Sequence, residues 1–268
     1  MNRRPSAKIS ATTVRHVAAF VVLLLVVGWG IVQGAGAMPY RWQWPRVVPF
    51  LFKTFDGQVY AGPLLKGLVV TLQVSALAFV ATIAAGVIAA LLRLSDSIVG
   101  RGVARVYIEV VRNTPLLVQL YVFYFVFAPI LGIGRQTTGV LALGLFEGAF
   151  AAEIIRAGIL AVPLGQAEAA ASLGLTRLQA NRFVVLPQAL RIVLPPLTSL
   201  AISLVKHSAI VSAIAIFDLA NEGRNIIADT FMTFEIWLTV AAIYLVVTTT
   251  MSVLAGRLER RMAHGPAA

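Results

Sequence analysis

Six long apolar runs constrain this chain more than any other feature. The clearest is "GPLLKGLVVTLQVSALAFVATIAAGVIAALLRL", from Gly62 to Leu94. A helix needs about 20 apolar residues to cross a bilayer, so a run of this length must tilt or protrude. The others begin at His16, within "RNTPLLVQLYVFYFVFAPILGI", and at about Thr138, Arg191 and Glu235. Hydrophobic residues make up 59% and charged residues 12%, whereas a soluble domain is about half apolar and a quarter charged. The predicted fold is an all-α integral membrane protein with about six transmembrane helices, one N-terminal plus a core of five. No repeat of fixed period interrupts this pattern.

The first run, His16 to Gln33, extends to about Met38 and follows a basic segment holding Arg3, Arg4, Lys8 and Arg15. Two readings fit it. One is a transmembrane helix; the other is a signal peptide cleaved near Ala35-Gly36-Ala37. Either way, the chain after Met38 starts outside. Residues 1–38 thus form a basic N-terminus and first span, and 39–61 an external loop whose Trp42 and Trp44 suit a membrane interface. Residues 62–261 form the five-helix core, and 262–268 a tail. Residues 98–111 have helical apolar spacing and are expected to lie along the interface. Asn113 or Thr114 is expected to cap the next helix, with Pro115 in its first turn.

The net charge of +11 would point to nucleic acid in a soluble protein. Here its placement sets orientation instead, and no nucleic acid is expected. With the N-terminus inside, 15 of the 22 Lys and Arg fall in segments facing the cytoplasm. That asymmetry places both termini in the cytoplasm and favours membrane lipid as a partner. Cysteine is absent, and His16, His207 and His264 are far apart, so neither thiol chemistry nor a metal site is expected. No catalytic constellation stands out at membrane depth, and no enzyme activity is assigned.

Charges inside a membrane are costly and mark pathways. Glu147, Glu153 and Lys206 are such candidates, with Arg112 and Arg156 near the cytoplasmic edge. Glu153 and Arg156 are three residues apart and can simply pair on one helix face. Lys206 and His207 beside Ser203 and Ser208 can equally form an interhelical network. Thr71, Ser75, Thr82 and Thr248 to Thr250 read as packing contacts more readily than ligands. The aromatic run from Tyr121 to Phe127 reads as packing or lipid-facing surface. Between Asp218 and Glu235 lies an acidic outer segment, either solvated or a contact for an external receptor.

One cytoplasmic stretch is unlike the rest: "EAAASLGLTRLQANRFVVLPQ", Glu168 to Gln188. Ala169, Ala170 and Ala171 favour a helix. Gly174 suits the left-handed position after its end. Thr176 with Gln179 makes a capping box that starts a second helix, and Pro187 is expected to end it. One reading is an amphipathic hairpin on the lipid surface, with Arg177 and Arg182 towards phosphates. The other is a docking element, whose small Ala side chains admit a partner closely and whose Glu168 meets a basic pocket.

The spacing Glu168-Ala169-Ala170, Gly174, Val184 and Leu186-Pro187 resembles the EAA loop of ABC-importer permeases, here within residues 163–190. "EVVRNTPLLVQLYVFYF", "GAFAAEIIRAGILAVPLGQ" and "SLVKHSAIVSAIAIFDL" resemble the polar amino acid branch of that family, and the likeness covers about Gly62 to Arg261. It implies a permease that couples through the EAA loop to separate cytoplasmic ATPase subunits. It also implies an identical or homologous permease partner, an external solute-binding protein and an amino acid substrate. This chain is then expected to bind no cofactor, and it carries no GxxxxGK[ST] phosphate loop, so ATP is hydrolysed by the partner. Another small polar solute is the nearest alternative. An ion-driven secondary transporter, or an intramembrane enzyme pairing Glu153 with His207, leaves the EAA spacing unexplained.

Overall fold

The computed structural model describes residues 11–37 and 40–263. Arg3, Arg4, Lys8 and His264 lie outside them. Among the described residues, five helices are long and apolar enough to cross a membrane, or six if one bent pair counts as a single span. The chain divides into two compact units, Met1–Gln43 and Trp44–Ala268. The first holds α1, Ala11–Ala37, a continuous helix that includes Ala35-Gly36-Ala37. Its large apolar side chains from Val17 to Trp29, and Val32, are exposed.

The second unit opens with a 3-10 turn, Trp44–Val47, and a helical turn, Val48–Leu51. An antiparallel hairpin follows, β1 Phe52–Phe55 and β2 Gln58–Ala61, in the segment expected to be loop. Asp56 and Gly57 both have positive φ, 50° and 74°. That is the two-residue turn matching strand twist, and the Asp-Gly dipeptide was its signal.

The helices that follow are α2, Pro63–Leu94; α3, Ile98–Arg112; and α4, Leu116–Leu131. Then come α5, Arg135–Leu160; α6, Leu164–Ser172; and α7, Arg177–Ile214. The last are α8, Leu219–Thr230, and α9, Thr233–Ala263.

The centre of the unit is the contact of α2 with α5. A methyl added at Gly144 would sit 2.5 Å from Ala81 Cβ. One at Gly148 would sit 2.8 Å from Ala85 Cβ, and one at Gly86 2.7 Å from Ala151 Cβ. Position rises along both helices together, so α2 and α5 run parallel. Small residues let the backbones approach, which replaces the hydrophobic drive missing in lipid. α7 runs antiparallel to α5: Gly158 meets Val193 near one end, and Gly139 meets Val211 and Ile216 near the other. Val74, Ala78, Leu120, Leu143, Leu204 and Val211 fill the space between.

α3 is capped by Ser97, whose hydroxyl accepts from Gly100 N–H at 3.0 Å. It buries Ala104 and Ile108 against Ala89, Ala149 and Ala152, while Val99, Val103, Val106 and Val110 face outward. α3 and α4 meet at 111°. The expected cap at Asn113 or Thr114 is corrected: Pro115 itself is the N-cap. Proline disfavours helix at the residue before it, so Asn113 closes α3, donating to the Glu109 carbonyl at 2.7 Å. Gln119 then bridges the joint, donating to Thr114 and to the Val111 carbonyl.

Asp218 caps α8, accepting from Asn221 N–H at 3.0 Å, and is fully buried with Oδ2 unpartnered. Burial pushes its carboxyl up to about 6 from 3.8, against the lowering pull of the Asn221 and Ala220 N–H groups and Arg224. A folded pKa above the unfolded one stabilises the fold most below 3.8, and that contribution is lost as pH rises to about 6. The unfolding free energy in detergent should therefore fall across this window. Asp218→Asn, which keeps a cap, should flatten the fall; an unchanged slope in the variant would contradict the assignment.

The α2–α5 contact makes a second prediction. Alanine is favoured over glycine in a helix by about 1 kcal/mol, yet Gly144→Ala should lower thermal stability, since overpacking costs about 1–3 kcal/mol. Gly102, with open space around it, should tolerate Ala with no loss. Equal gains at both sites would rule out the close contact.

Candidate functional site

The EAA stretch folds as two helices around a glycine. α6 starts after Pro163 and ends in a Schellman motif. Leu175 N–H donates to the Ala170 carbonyl at 3.1 Å, and Gly174 N–H to the Ala171 carbonyl at 2.9 Å. Gly174 has φ +82° with open space around it. Its lack of a side chain therefore serves the backbone, since other L-residues pay about 1–2 kcal/mol there. Thr176 then opens α7 with both bonds of the expected capping box. Gln179 N–H donates to Thr176 Oγ1 at 3.3 Å, and Thr176 N–H to Gln179 Oε1 at 2.9 Å.

Pro187 does not end the second helix, which corrects the expectation of a separate short helix. α7 passes through a π turn, Asn181–Val185, and continues from Leu186 to His207 before tightening to 3-10 geometry. The wider turn precedes the position where proline has no N–H to give, and the helix absorbs the missing bond. The second helix is thus the start of the fourth core span. Gln188 Nε2 donates to Gln166 Oε1 at 3.2 Å, tying α6 to that span.

Glu168, Ala169 and Gly174 are exposed, Ala170 is buried, and Leu186 and Pro187 are exposed on α7. Leu164 and Leu173, at the two ends of α6, are 81% and 82% exposed. In the sequence these two leucines do not stand out, because apolar residues are common throughout. Their exposure on a polar segment is what distinguishes them.

The second cluster lies between α5 and α7. Glu147, 3% exposed, is hydrogen-bonded through Oε1 to His207 Nδ1 at 2.5 Å. Both line a cavity of about 400 Å³ with Phe146, Phe150, Pro196, Ser199 and Ser203. Arg112 stacks over the Phe150 ring at 5.4 Å, joining a third candidate to the cavity wall. Lys206 is exposed and does not line this cavity. Glu153 pairs with Arg156 at 2.9 Å and with Arg93 at 3.8 Å, which joins α5 to the end of α2. The enzyme alternative that paired Glu153 with His207 is corrected: His207 belongs to Glu147. These partners are sixty residues apart, and no local spacing links them.

The remaining polar residues mostly serve packing. Ser75, Thr248 and Thr250 donate to carbonyls one turn back, and Thr71 accepts from Leu219 N–H. Phe123 and Tyr124 pack on the core, while Tyr121, Phe125 and Phe127 face outward. Asp218 and Glu235 are buried and Glu222 is half-buried, which leaves Asp229 as the exposed acid of the outer segment.

Residues 82–264 match the family described as the binding-protein-dependent transport system inner membrane component. The glutamine transport system permease protein of Escherichia coli (strain K12) is 37% identical over 202 residues, covering 74% of this chain and 92% of that protein. The probable glutamine ABC transporter permease of Bacillus subtilis (strain 168) is 38% identical over 195 residues, covering 72% and 89%. Among solved structures, an amino acid ABC transporter crystallised with histidines superposes with a TM-score of 0.70 at 43% identity, over 74% of this chain and 94% of that one. An inward-facing methionine ABC transporter shares the fold, with a TM-score of 0.58 at 23% identity. The chain belongs to the family of binding-protein-dependent transport system inner membrane components, the multi-pass permease subunits of ABC importers.

Proposed function

We propose that this chain forms the translocation pathway for a polar amino acid in an ATP-driven importer of a bacterial inner membrane. The two relatives described above are named for glutamine, and the amino acid assignment rests on such relatives. Orientation follows from the charge pattern, with both termini and α6 in the cytoplasm. Cytoplasmic ATPase subunits dock on α6, an identical or homologous permease completes the membrane pair, and a solute-binding protein delivers substrate outside.

The observation that carries the coupling role is the presentation of α6. It is held at its C-terminal end by the Schellman motif and the capping box, bonded to α7 through Gln166, and exposes Leu164, Glu168, Ala169 and Leu173. A short rigid helix tied to a span transmits subunit closure as rigid-body motion. Within the bundle, Glu147 and His207 offer a carboxylate and an imidazole to the ammonium and carboxylate of a zwitterion. Arg112 lies at the same wall, whereas Glu153 is engaged in its own ion pairs and Lys206 lies outside this cavity.

The test is substrate-stimulated ATP hydrolysis by the assembled complex in proteoliposomes, screened across polar amino acids with its external receptor. Gly174→Val should cut stimulation about tenfold, because a β-branched residue strains the left-handed turn. Glu147→Gln should weaken the half-saturating substrate concentration for transport about tenfold or more, as expected for a lost charged hydrogen bond. Full coupling in an assembled Gly174→Val complex would contradict the lever. Unchanged transport in Glu147→Gln would remove that cavity from the pathway, and solute movement without ATPase would favour a secondary transporter.

A further inference from the structure

A second apolar cavity, of about 510 Å³, opens at the end of α2 beside the second helix of the EAA segment and is separate from the Glu147 cavity. Leu91 and Leu94 of α2, Ile159 of α5, and Leu178, Val185 and Leu186 of α7 line it. Its polar groups are Asn181 and Arg182, on the π turn of α7. Leu94 is the last residue of α2, so the cavity sits where apolar span gives way to polar chain. Arg182 makes no ion pair among the described residues; its guanidinium lies 5.7 Å from the Phe183 ring. A second cation, Arg101, donates to the carbonyl of Ser95, the residue after Leu94.

We propose that this cavity is a binding site for an anionic phospholipid, resting on the reading of α2, α5 and α7 as membrane spans. An acyl chain lies against the leucines and Ile159, and the phosphate meets Arg182 and Asn181. Leu91, Leu94 and Ile159 lie at the ends of their spans and Arg182 stands on the first turns of α7, so apolar wall and cation meet near the water boundary, which matches a lipid with its charge there. The volume falls in the range of about 300–1,000 Å³ typical of small-ligand sites. The site also spans the junction of the EAA segment with its helix, so the lipid would brace the root of the lever.

The test is native mass spectrometry of the assembled permease–ATPase complex, stripped of lipid and supplied with phosphatidylglycerol or phosphatidylethanolamine. Wild type should retain phosphatidylglycerol in preference, and Arg182→Gln should lower its retention about fivefold, the worth of one basic residue at an anionic surface. Leu178→Trp, which fills the cavity and keeps the charge, should lower retention of both lipids. Equal retention by wild type and both variants would overturn the site. Equal retention of the two lipids by wild type would overturn the anionic assignment. A photo-crosslinker at Leu178 that captures the ATPase or the partner permease, instead of lipid, would show that protein fills the cavity.

Discussion

The close parallel approach of α2 and α5 is the constraint on which the rest of the core depends. Gly144 and Gly148 on one helix, with Gly86 and several alanines, bring the backbones together where lipid supplies no hydrophobic drive. Because these helices run parallel, the chain must return between them, and α3 and α4 make that return through a sharp bend at Pro115. The Tyr107 hydroxyl donates to the Leu145 carbonyl at 2.6 Å and fixes α3 against the same helix. Glu147 sits between the two glycines in sequence but looks towards α7. One helix therefore offers a close-packed face to α2 and a charged face to the cavity.

If the Glu147 cavity lies on the pathway, as proposed, that division links the packing to transport. α7 carries His207 at the cavity and, about twenty residues earlier, the bond to α6. A displacement of α6 has a continuous helical path to the cavity wall, interrupted only by the π turn and by Pro195-Pro196. Both features loosen the hydrogen-bond ladder without ending the helix. A partner closing on α6 would thus act on the cavity through one element, the kind of rigid connection that alternating access requires.

Much of this was legible in the sequence because membrane physics writes long signals. Runs of twenty or more apolar residues, the Gly174 stop and the Thr176 box all act locally. Where local rules competed, reading faltered. Pro187 reads as a terminator until the π turn absorbs its missing donor. Thr114 reads as a cap until Pro115 takes that place. The Asp56-Gly57 turn was readable and was passed over between two stronger apolar signals. The Glu147–His207 pair depends on two helices meeting far along the chain, so composition could flag each residue but not their bond. Glu153, flagged by the same rule, found its partners on α2 and its own helix instead.

In the proposed assembly, α6 is the surface on which an ATPase subunit docks. The chain has no cysteine, so Ala169→Cys provides a single thiol on the exposed face of that helix. Crosslinking from this thiol in native membranes, with the complex assembled, tests the claim most directly. Docking on α6 predicts a covalent product with the ATPase subunit, and modification of the thiol only by reagents that reach the cytoplasmic side. A thiol shielded by lipid, or one that reacts from the external face with no ATPase attached, would contradict it.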